Sequence, residues 1–202
     1  MIKSIKELQD YLLKDAEDFE ELMMTSPGCS KEEIDILKKT LPGIPDSYTK
    51  WVEAVNLNGI SVGCFGTSPF SFNPEGMVAN LIEGNEEGVM FWEYTRQYHL
   101  YSIVSCSDVG VFVATVSSPY KEGEIIAIDG SIYVEKDHPE QCIFRIAKDF
   151  EQFLIIAGNL NQLHREINED NSNYGEKEKK FIERLKILGV AEEYHTPWMM
   201  MF

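Results

Sequence analysis

The residues of this sequence that could do chemistry are its histidines, cysteines and carboxylates. The four histidines are isolated, without a His-Glu-x-x-His motif or a nearby cysteine: His99, His138, His164 and His195. The four cysteines are far apart and show no Cys-x-x-Cys spacing: Cys29, Cys64, Cys106 and Cys142. Metal sites and thiol-redox sites are normally recognised by such spacings. We therefore expect no metal and no cofactor.

Sequence motifs for nucleotide binding and for serine nucleophiles are also lacking. The sequence contains no Gly-x-Gly-x-x-Gly, Gly-x-x-x-x-Gly-Lys or Gly-x-Ser-x-Gly pattern. Adjacent acids such as Glu86–Glu87 and Glu192–Glu193 could act as general acid and base. Carboxylate catalysis, however, needs two carboxyl groups at a defined separation across a cleft, and adjacent glutamates in turn-like segments are typical of solvated surface. We predict no catalytic residues and no enzymatic activity.

The charge balance indicates a protein partner. The chain carries a net charge of −16, and residues 46–158 alone hold sixteen acids against six bases, a net charge of −10. The excess therefore lies in the body of the protein. Such a field repels phosphate backbones and attracts basic proteins. We expect a basic protein partner and no nucleic-acid binding; the alternative interpretation of the charge is solubility alone.

One segment combines this charge with aromatic residues. Residues 81–101, LIEGNEEGVMFWEYTRQYHLY, place Phe91, Trp92 and Tyr94 among several glutamates. Aromatic anchors inside an acidic rim suit a basic protein surface. The predicted partner-binding residues are Glu83, Glu86, Glu87, Trp92 and Glu93. The alternative is that these aromatic side chains belong to the core.

The compartment follows from the thiols and from the absence of targeting patterns. Cys64, Cys106 and Cys142 lie in apolar, strand-like runs, where a free thiol behaves as a small buried hydrophobe, as expected in a reducing compartment. The N-terminal residues lack a signal-peptide pattern, and no apolar run approaches the roughly 18 residues of a membrane span. We expect a cytoplasmic protein without membrane contact.

The N-terminal part of the chain predicts helices. Apolar residues at helical spacing predict one amphipathic helix over 3–24. Ser30 followed by Glu33 predicts a capping box at the start of a second helix. Ile44 and Pro45 mark the start of a third helix, which contains Trp51 as a core anchor. Asn58–Gly59 ends that helix because both residue types tolerate positive φ.

The middle of the chain predicts an antiparallel meander. Four short runs are rich in β-branched and aromatic residues and end at turn residues: 100–106, 109–116, 123–128 and 131–135. Asp129–Gly130 predicts a two-residue type I′ hairpin between the last two runs. Residues 142–147 add another strand or lead directly into the helix predicted over 148–167.

The C-terminal residues form an extension. Residues 168–175 are polar and predict a linker, and residues 176–189 are amphipathic and predict a helix. The end of the chain, Trp-Met-Met-Met-Phe at 198–202, is too apolar to stand freely in water, so it either packs back on the domain or caps a dimer. We therefore divide the chain into a domain over 1–167 and an extension over 168–202, and expect a monomer or a weak homodimer.

The order of these motifs resembles the SUKH superfamily. An acidic helix is followed by a Leu-Pro step, a Pro-x-Ser-Tyr helix start, an aromatic residue and an Asn-Gly pair. The matching residues are Leu41, Pro42, Pro45, Ser47, Tyr48, Trp51, Asn58 and Gly59. Ile146–Ala147 with the phenylalanines after it is similar to the family's closing helix. The family often has a Gly-Asp pair opening a central strand, whereas Val111 follows Gly110 here.

The resemblance covers roughly residues 30–158. It implies an α+β fold in which helices pack around a largely antiparallel sheet, and no enzymatic activity. Members include many bacterial immunity proteins, which bind and neutralise a cognate polymorphic toxin of the nuclease or deaminase class. They also include a yeast regulator of cell-wall synthesis, so the alternative function is a non-enzymatic regulatory scaffold.

Overall fold

The computed structural model describes residues 1–70, 72–106, 109–135, 137–167 and 174–199. Within these ranges the chain forms an α+β fold, as expected. Its α-helices are α1 Ile5–Leu13, α2 Asp18–Thr25, α3 Lys31–Thr40, α4 Asp46–Ala54, α5 Met77–Glu83, α6 Trp92–Tyr98, α7 Phe150–Ile167, α8 Tyr174–Ile187 and α9 His195–Met199. Its strands are β1 Ser61–Val62, β2 Phe65–Gly66, β3 Leu100–Val104, β4 Val109–Ala114, β5 Ile125–Asp129 and β6 Ile143–Ala147.

Four strands form an antiparallel sheet in the order β3-β4-β5-β6. In its centre Phe112 pairs with Ile126 and Val111 pairs with Ala127. Strands β1 and β2 form a separate small hairpin. An isolated bridge between Gly66 and Ser105 joins this hairpin to the end of β3.

Both faces of the four-stranded sheet are buried. Because side chains alternate along a strand, Val111 and Val113 face the main core, while Phe112 and Ala114 face a smaller apolar cluster. The main core includes the apolar sides of α1, α3, α4 and α7. Phe91 contributes to the smaller cluster, so the predicted binding segment covers the second face of the sheet.

The capping box was predicted correctly, but the first helix was not. The Ser30 hydroxyl accepts from the Glu33 N–H, and the Glu33 carboxylate accepts from the Ser30 N–H, as the sequence predicts. The single helix predicted over 3–24 is instead α1 and α2, separated by residues 14–17. The Glu17 N–H donates to the Glu20 carboxylate, which gives α2 its own start.

The type I′ hairpin at Asp129–Gly130 was predicted wrongly. The Asp129 carboxylate accepts from the Ser131 N–H at 2.8 Å, and residues Gly130–Tyr133 form a 3₁₀-helix. This local side-chain bond competes with a hairpin turn. Instead of the run predicted at 131–135, β6 pairs with β5, with Ile143 opposite Ile128.

The C-terminal segment over 174–199 packs into the main core. Phe181, Leu185 and Trp198 are all fully buried in it. Trp198 therefore packs back on the domain, one of the two expected arrangements. Of the polar linker predicted at 168–175, residues 168–173 lie outside the described residues, and Tyr174–Gly175 begin α8. Residues 200–202 also lie outside them.

A buried carboxylate fastens this segment to the sheet. The Glu124 side chain is 1% exposed and accepts from the Tyr194 hydroxyl at 2.7 Å. The Arg145 guanidinium binds the same carboxylate at 2.6 Å and also pairs with Glu193 at 3.1 Å. Burial and the bond to Glu124 raise the pKa of Tyr194 to about 12, so its phenol stays protonated and donates.

No helix among the described residues combines the length and apolar character that crossing a membrane requires.

Candidate partner-binding surface

Residues 83–93 of the predicted binding segment, called the ridge below, connect α5 to α6 and pack through Phe91 on the second face of the sheet. The ridge starts at the C-terminal end of α5, passes through turns over 84–91 and enters α6. The turns are closed locally, because the Glu86 N–H donates to the Glu83 carbonyl at 3.3 Å and the Val89 N–H donates to that of Glu86 at 3.4 Å. Asn85 ties the ridge to β3, since its amide oxygen accepts from the Ser102 N–H at 2.7 Å. The ridge is therefore attached to β3 by a hydrogen bond.

Glu83 has a structural partner as well as an exposed position. Its carboxylate accepts from the Asn73 side chain at 3.0 Å. The Asn73 N–H in turn donates to the Asn58 amide oxygen, which also accepts from the Asn80 side chain. Asn58 and Asn80 are buried, so this network replaces the water they lose. Glu83 thus contributes to the loop that leads into α5 while facing solvent.

The other three predicted acids are exposed. Glu86 and Glu87 lie in the turn after α5, and Glu93 lies in the first turn of α6. A carboxylate in a first turn is favoured by the partial positive charge at the helix N-terminus. None of the ion pairs among the described residues includes these three or Glu83. Their negative charge is therefore available to a partner.

The aromatic residues of the segment are more buried than an exposed anchor would be. Phe91 is 2% exposed and belongs to the core, and Tyr94 is half-buried with its hydroxyl bonded to the Ile132 carbonyl at 3.3 Å. Trp92, a predicted binding residue, is half-buried, and the Arg96 guanidinium lies 5.8 Å from its ring centre. The core interpretation is therefore right for Phe91, and Trp92 offers only part of its surface.

Phe91 has a backbone conformation that only a well-packed site maintains. Its φ is +67°, in the left-handed region that phenylalanine rarely adopts. Its N–H donates to the Tyr133 hydroxyl at 2.6 Å, and the two rings stack at 5.6 Å. The ring also meets Phe112 edge-on at 5.8 Å. These contacts fix the shape of the ridge between the glutamate turn and α6.

A cleft of about 110 Å³ opens beside this ridge. Its lining includes Phe70, Met90 and Gly110. Phe70 is 43% exposed and Met90 is 60% exposed, so these two are the large apolar side chains of the lining that are most open to solvent. Gly110 has no room for a side chain, since a Cβ would lie 2.7 Å from the Phe91 ring. The segment that carries the four exposed glutamates thus also supplies part of the wall of a mainly apolar cleft.

Phe70 and Met90 were missed in the sequence because neither belongs to a periodic pattern. Phe70 follows Ser-Pro, and Met90 follows a run of turn residues. The position of Phe70 beside the cleft depends on a loop contact, in which the Phe70 N–H donates to the Asn80 side-chain oxygen at 2.9 Å. That long-range bond has no signature in the local sequence.

A larger polar cavity of about 380 Å³ lies between α1, α2, α7 and the β1–β2 hairpin. Arg165 pairs with Asp15 there and lies 5.7 Å from the centre of the Tyr11 ring. Burial and the nearby Lys177 lower the pKa of His164, which favours its neutral imidazole. The charges that line this cavity are thus partly neutralised by the Arg165–Asp15 pair, whereas the glutamates of the ridge have no such ion pair among the described residues. Within the described ranges, no three His, Cys, Asp or Glu side chains are grouped so that they could hold a metal ion.

No protein-family model matches the chain, and no curated protein matches it. Membership of the SUKH superfamily therefore stays a prediction from the motifs.

Proposed function

We propose that the protein is a cytoplasmic immunity protein that binds and neutralises a basic toxin of the nuclease or deaminase class. The observation that carries this proposal is a set of four exposed glutamates, Glu83, Glu86, Glu87 and Glu93, on the segment whose residues 89–91 line an open cleft. The motif resemblance between residues 30 and 158 supports the class of partner. The action is non-enzymatic: the ridge covers the basic surface with which the toxin engages its nucleic-acid substrate.

The charge of the ridge would act mainly on the speed of binding. Unpaired carboxylates attract a basic partner over about one Debye length, roughly 8–10 Å at physiological salt. Such steering raises association rates by about 10- to 1,000-fold, and salt reduces the effect. We therefore expect the association rate to fall by about tenfold or more between low and physiological ionic strength.

The apolar cleft would act mainly on the lifetime of the complex. Phe70 and Met90 are exposed, so a partner side chain inserted between them removes apolar surface from water on both sides. Interfaces usually depend on a few such anchors surrounded by a polar rim. Truncating either residue should therefore speed dissociation while leaving the association rate almost unchanged.

The test begins with capture from a native lysate. The tagged full-length protein is used as bait at low and physiological salt, and retained proteins are identified by mass spectrometry. A basic toxin fragment is expected, retained more strongly at low salt. Recovery of only signalling or envelope-assembly proteins would instead favour the regulatory scaffold, and recovery of no basic partner would contradict the proposal.

Binding by the captured toxin is then measured with matched variants. The double charge reversal Glu86→Lys/Glu87→Lys should slow association by at least tenfold. Glu178→Lys/Glu183→Lys changes the net charge equally but on exposed positions of α8, a different element, and should have a much smaller effect. Equal effects of the two double variants would show that only total charge matters and would remove the ridge from the proposal.

A further inference from the structure

Two neighbouring cavities share part of their walls. The polar cavity of about 380 Å³ lies beside α7, and an apolar cavity of about 40 Å³ lies between α1, α4 and β1. Leu12, Met24 and Ile60 line both cavities. These three side chains therefore form an apolar wall of the polar cavity, with further apolar space behind it.

The polar cavity is lined by charges of both signs. Arg165 contributes a guanidinium, and Asp15 and Glu20 contribute carboxylates. The bond from Arg165 to Asp15 involves Nη1, and a guanidinium offers five N–H donors, so Arg165 can also bind a second carboxylate. Glu20 accepts from the Glu17 N–H through Oε2, and its other oxygen can accept from an ammonium group. One cavity thus offers a partner for each charge of a zwitterion.

The polar groups are held in place by contacts between α1, α7 and the hairpin. The Asn161 side chain donates to the Tyr11 hydroxyl at 3.4 Å, and the Arg165 guanidinium lies 5.7 Å from the centre of the Tyr11 ring. Gly63 keeps the hairpin turn close to α7, since a Cβ there would lie 3.2 Å from the Asn161 side chain. Cys64 also lines this cavity and is exposed, contrary to the buried position expected from its apolar sequence context. The cavity is therefore already formed before a ligand binds.

The apolar cavity can hold a small aliphatic group. Its lining includes Leu8, Val62 and Leu154, which are all buried. Thr67 also lines it, but its hydroxyl donates to the Leu57 carbonyl at 2.6 Å and is therefore satisfied within the protein. A cavity of this size holds about one or two groups as large as a methyl or a water. It suits the end of a branched aliphatic side chain and is too small for an aromatic ring.

Ligands of a single charge suit the polar cavity less well. Two carboxylates line it against one guanidinium, which disfavours nucleotides and other polyanions. Burial and the nearby Lys177 lower the pKa of His164, so its neutral imidazole adds no further positive charge. A simple cation would lie close to the like charge of Arg165. A small molecule that carries both charges avoids both conflicts.

We propose that the two cavities together bind an α-amino acid with an aliphatic side chain. Its carboxylate binds the Arg165 guanidinium, and its ammonium group donates to Glu20. Its side chain lies against Leu12, Met24 and Ile60, with its end in the apolar cavity. Met24 is half-buried and unbranched, so its side chain can turn aside as the ligand enters. The charged contacts fix the orientation of the ligand, and burial of the aliphatic group adds affinity.

The test is a titration of the full-length, isotope-labelled protein, followed by the chemical shifts of its backbone amides. L-Leucine is compared with isocaproate, which lacks the ammonium group, and with isopentylamine, which lacks the carboxylate. We expect a dissociation constant of about 10 μM to 1 mM for L-leucine and at least about tenfold weaker binding of the other two. The amides of Ser61, Gly63, Asn161 and Arg165 should shift.

Three results would overturn the proposal. They are no binding of L-leucine at about 10 mM, equal binding of the three compounds, and shifts confined to other parts of the chain.

Variants test each half of the site. Arg165→Gln should weaken L-leucine by at least about tenfold but leave isopentylamine, which has no carboxylate, unchanged. Equal weakening of both would mean that Arg165 only supports the fold, contrary to the proposal. Arg96→Gln removes the same charge from an exposed position of α6 and should change neither affinity.

Val62→Ile tests the apolar half. It fills part of the apolar cavity and should weaken L-leucine but not L-alanine, whose side chain is too short to reach that cavity. An unchanged affinity for L-leucine would exclude the apolar cavity from the site. None of the residues that line the two cavities belongs to the ridge, so this inference does not depend on the proposed partner.

Discussion

Replacement of Trp198 by alanine should remove a large part of the protein's free energy of unfolding. The side chain is fully buried, and its ring centre lies 5.6 Å from Phe65, 5.8 Å from Phe153 and 6.5 Å from Phe181. Its indole N–H donates to the Ile146 carbonyl at 2.7 Å. Loss of a buried tryptophan ring costs about 3–5 kcal/mol, and the broken hydrogen bond adds about 1 kcal/mol. The expected total is about 4–6 kcal/mol.

The assay is urea unfolding followed by far-ultraviolet circular dichroism. Fluorescence would be a poor probe, since the substitution removes an indole and leaves Trp51 and Trp92. With a slope of about 2–3 kcal/mol per molar urea, the midpoint should fall by about 2 M. Trp198→Phe, which keeps an aromatic ring and loses the hydrogen bond, should cost about 1–3 kcal/mol.

An exposed residue of the same segment gives the control. Ile187 is 65% exposed at the end of α8, so Ile187→Ala should change stability by less than about 0.5 kcal/mol. A loss below about 1 kcal/mol for Trp198→Ala would show that the segment over 174–199 is not held in the core as the structure has it. It would then have to be treated as an appended element.

Three further predictions concern the site and its supports. Asn80→Ala leaves the Phe70 N–H without its partner, so the free energy of unfolding should fall by about 2–3 kcal/mol, with amide exchange speeded at Phe70 by more than in β5; equal acceleration at the two places would refute a local role. The pKa of Tyr194 is raised from 10.0 to about 12 in the native state, so the native state keeps the phenol proton at a pH where the unfolded state loses it, and this contribution to stability is lost as pH rises from 10.0 through about 12. In Tyr194→Phe the free energy of unfolding should therefore fall less steeply with pH over this range. A slope equal to that of the unmodified protein would contradict the assignment. Gly110→Ala should lower the free energy of unfolding, measured by thermal unfolding, by about 1–3 kcal/mol, because the added methyl group would overlap the rings of Phe91 and Phe112. Unchanged stability would mean that those rings can move aside.

Parts of the fold that depend on neighbouring residues are predictable from the sequence. Ser30 and Glu33 bond each other across one helical turn, so their types and spacing suffice. Gly59 has φ +81°, the conformation for which an Asn-Gly pair is typical, but α4 ends at Ala54, so the pair does not end the helix as predicted. The Asp129–Gly130 turn fails as a prediction because the same aspartate can also cap a 3₁₀-helix. Two local structures compete there, and pairing of β5 with the distant β6 decides between them.

The candidate site is predictable only for its charges. Glu86 and Glu87 are exposed, as adjacent acids in a turn are expected to be. The burial of Phe91, in contrast, depends on Tyr133 and Phe112, which are far away in the sequence. Those contacts turn the ring inward and leave other apolar residues exposed. Sequence reasoning can therefore find an acidic turn, whereas the identity of its apolar neighbours is a property of the tertiary structure.

The position of the acids, more than their number, supports a partner surface. Glu124 and Glu86 are the same residue type, yet Glu124 is buried and its charge is neutralised by Arg145, so it is not available to a partner. Asp15, which lines the polar cavity, pairs with Arg165. At the ridge no described basic side chain pairs with the glutamates, and Arg96, the nearest in sequence, lies over Trp92. Exposed acids without an ion pair also occur elsewhere, as at Asp18 and Glu21 of α2, and these would serve solubility. Those of the ridge share their segment with Met90 of the open cleft, which would suit a basic partner with an apolar side chain to insert.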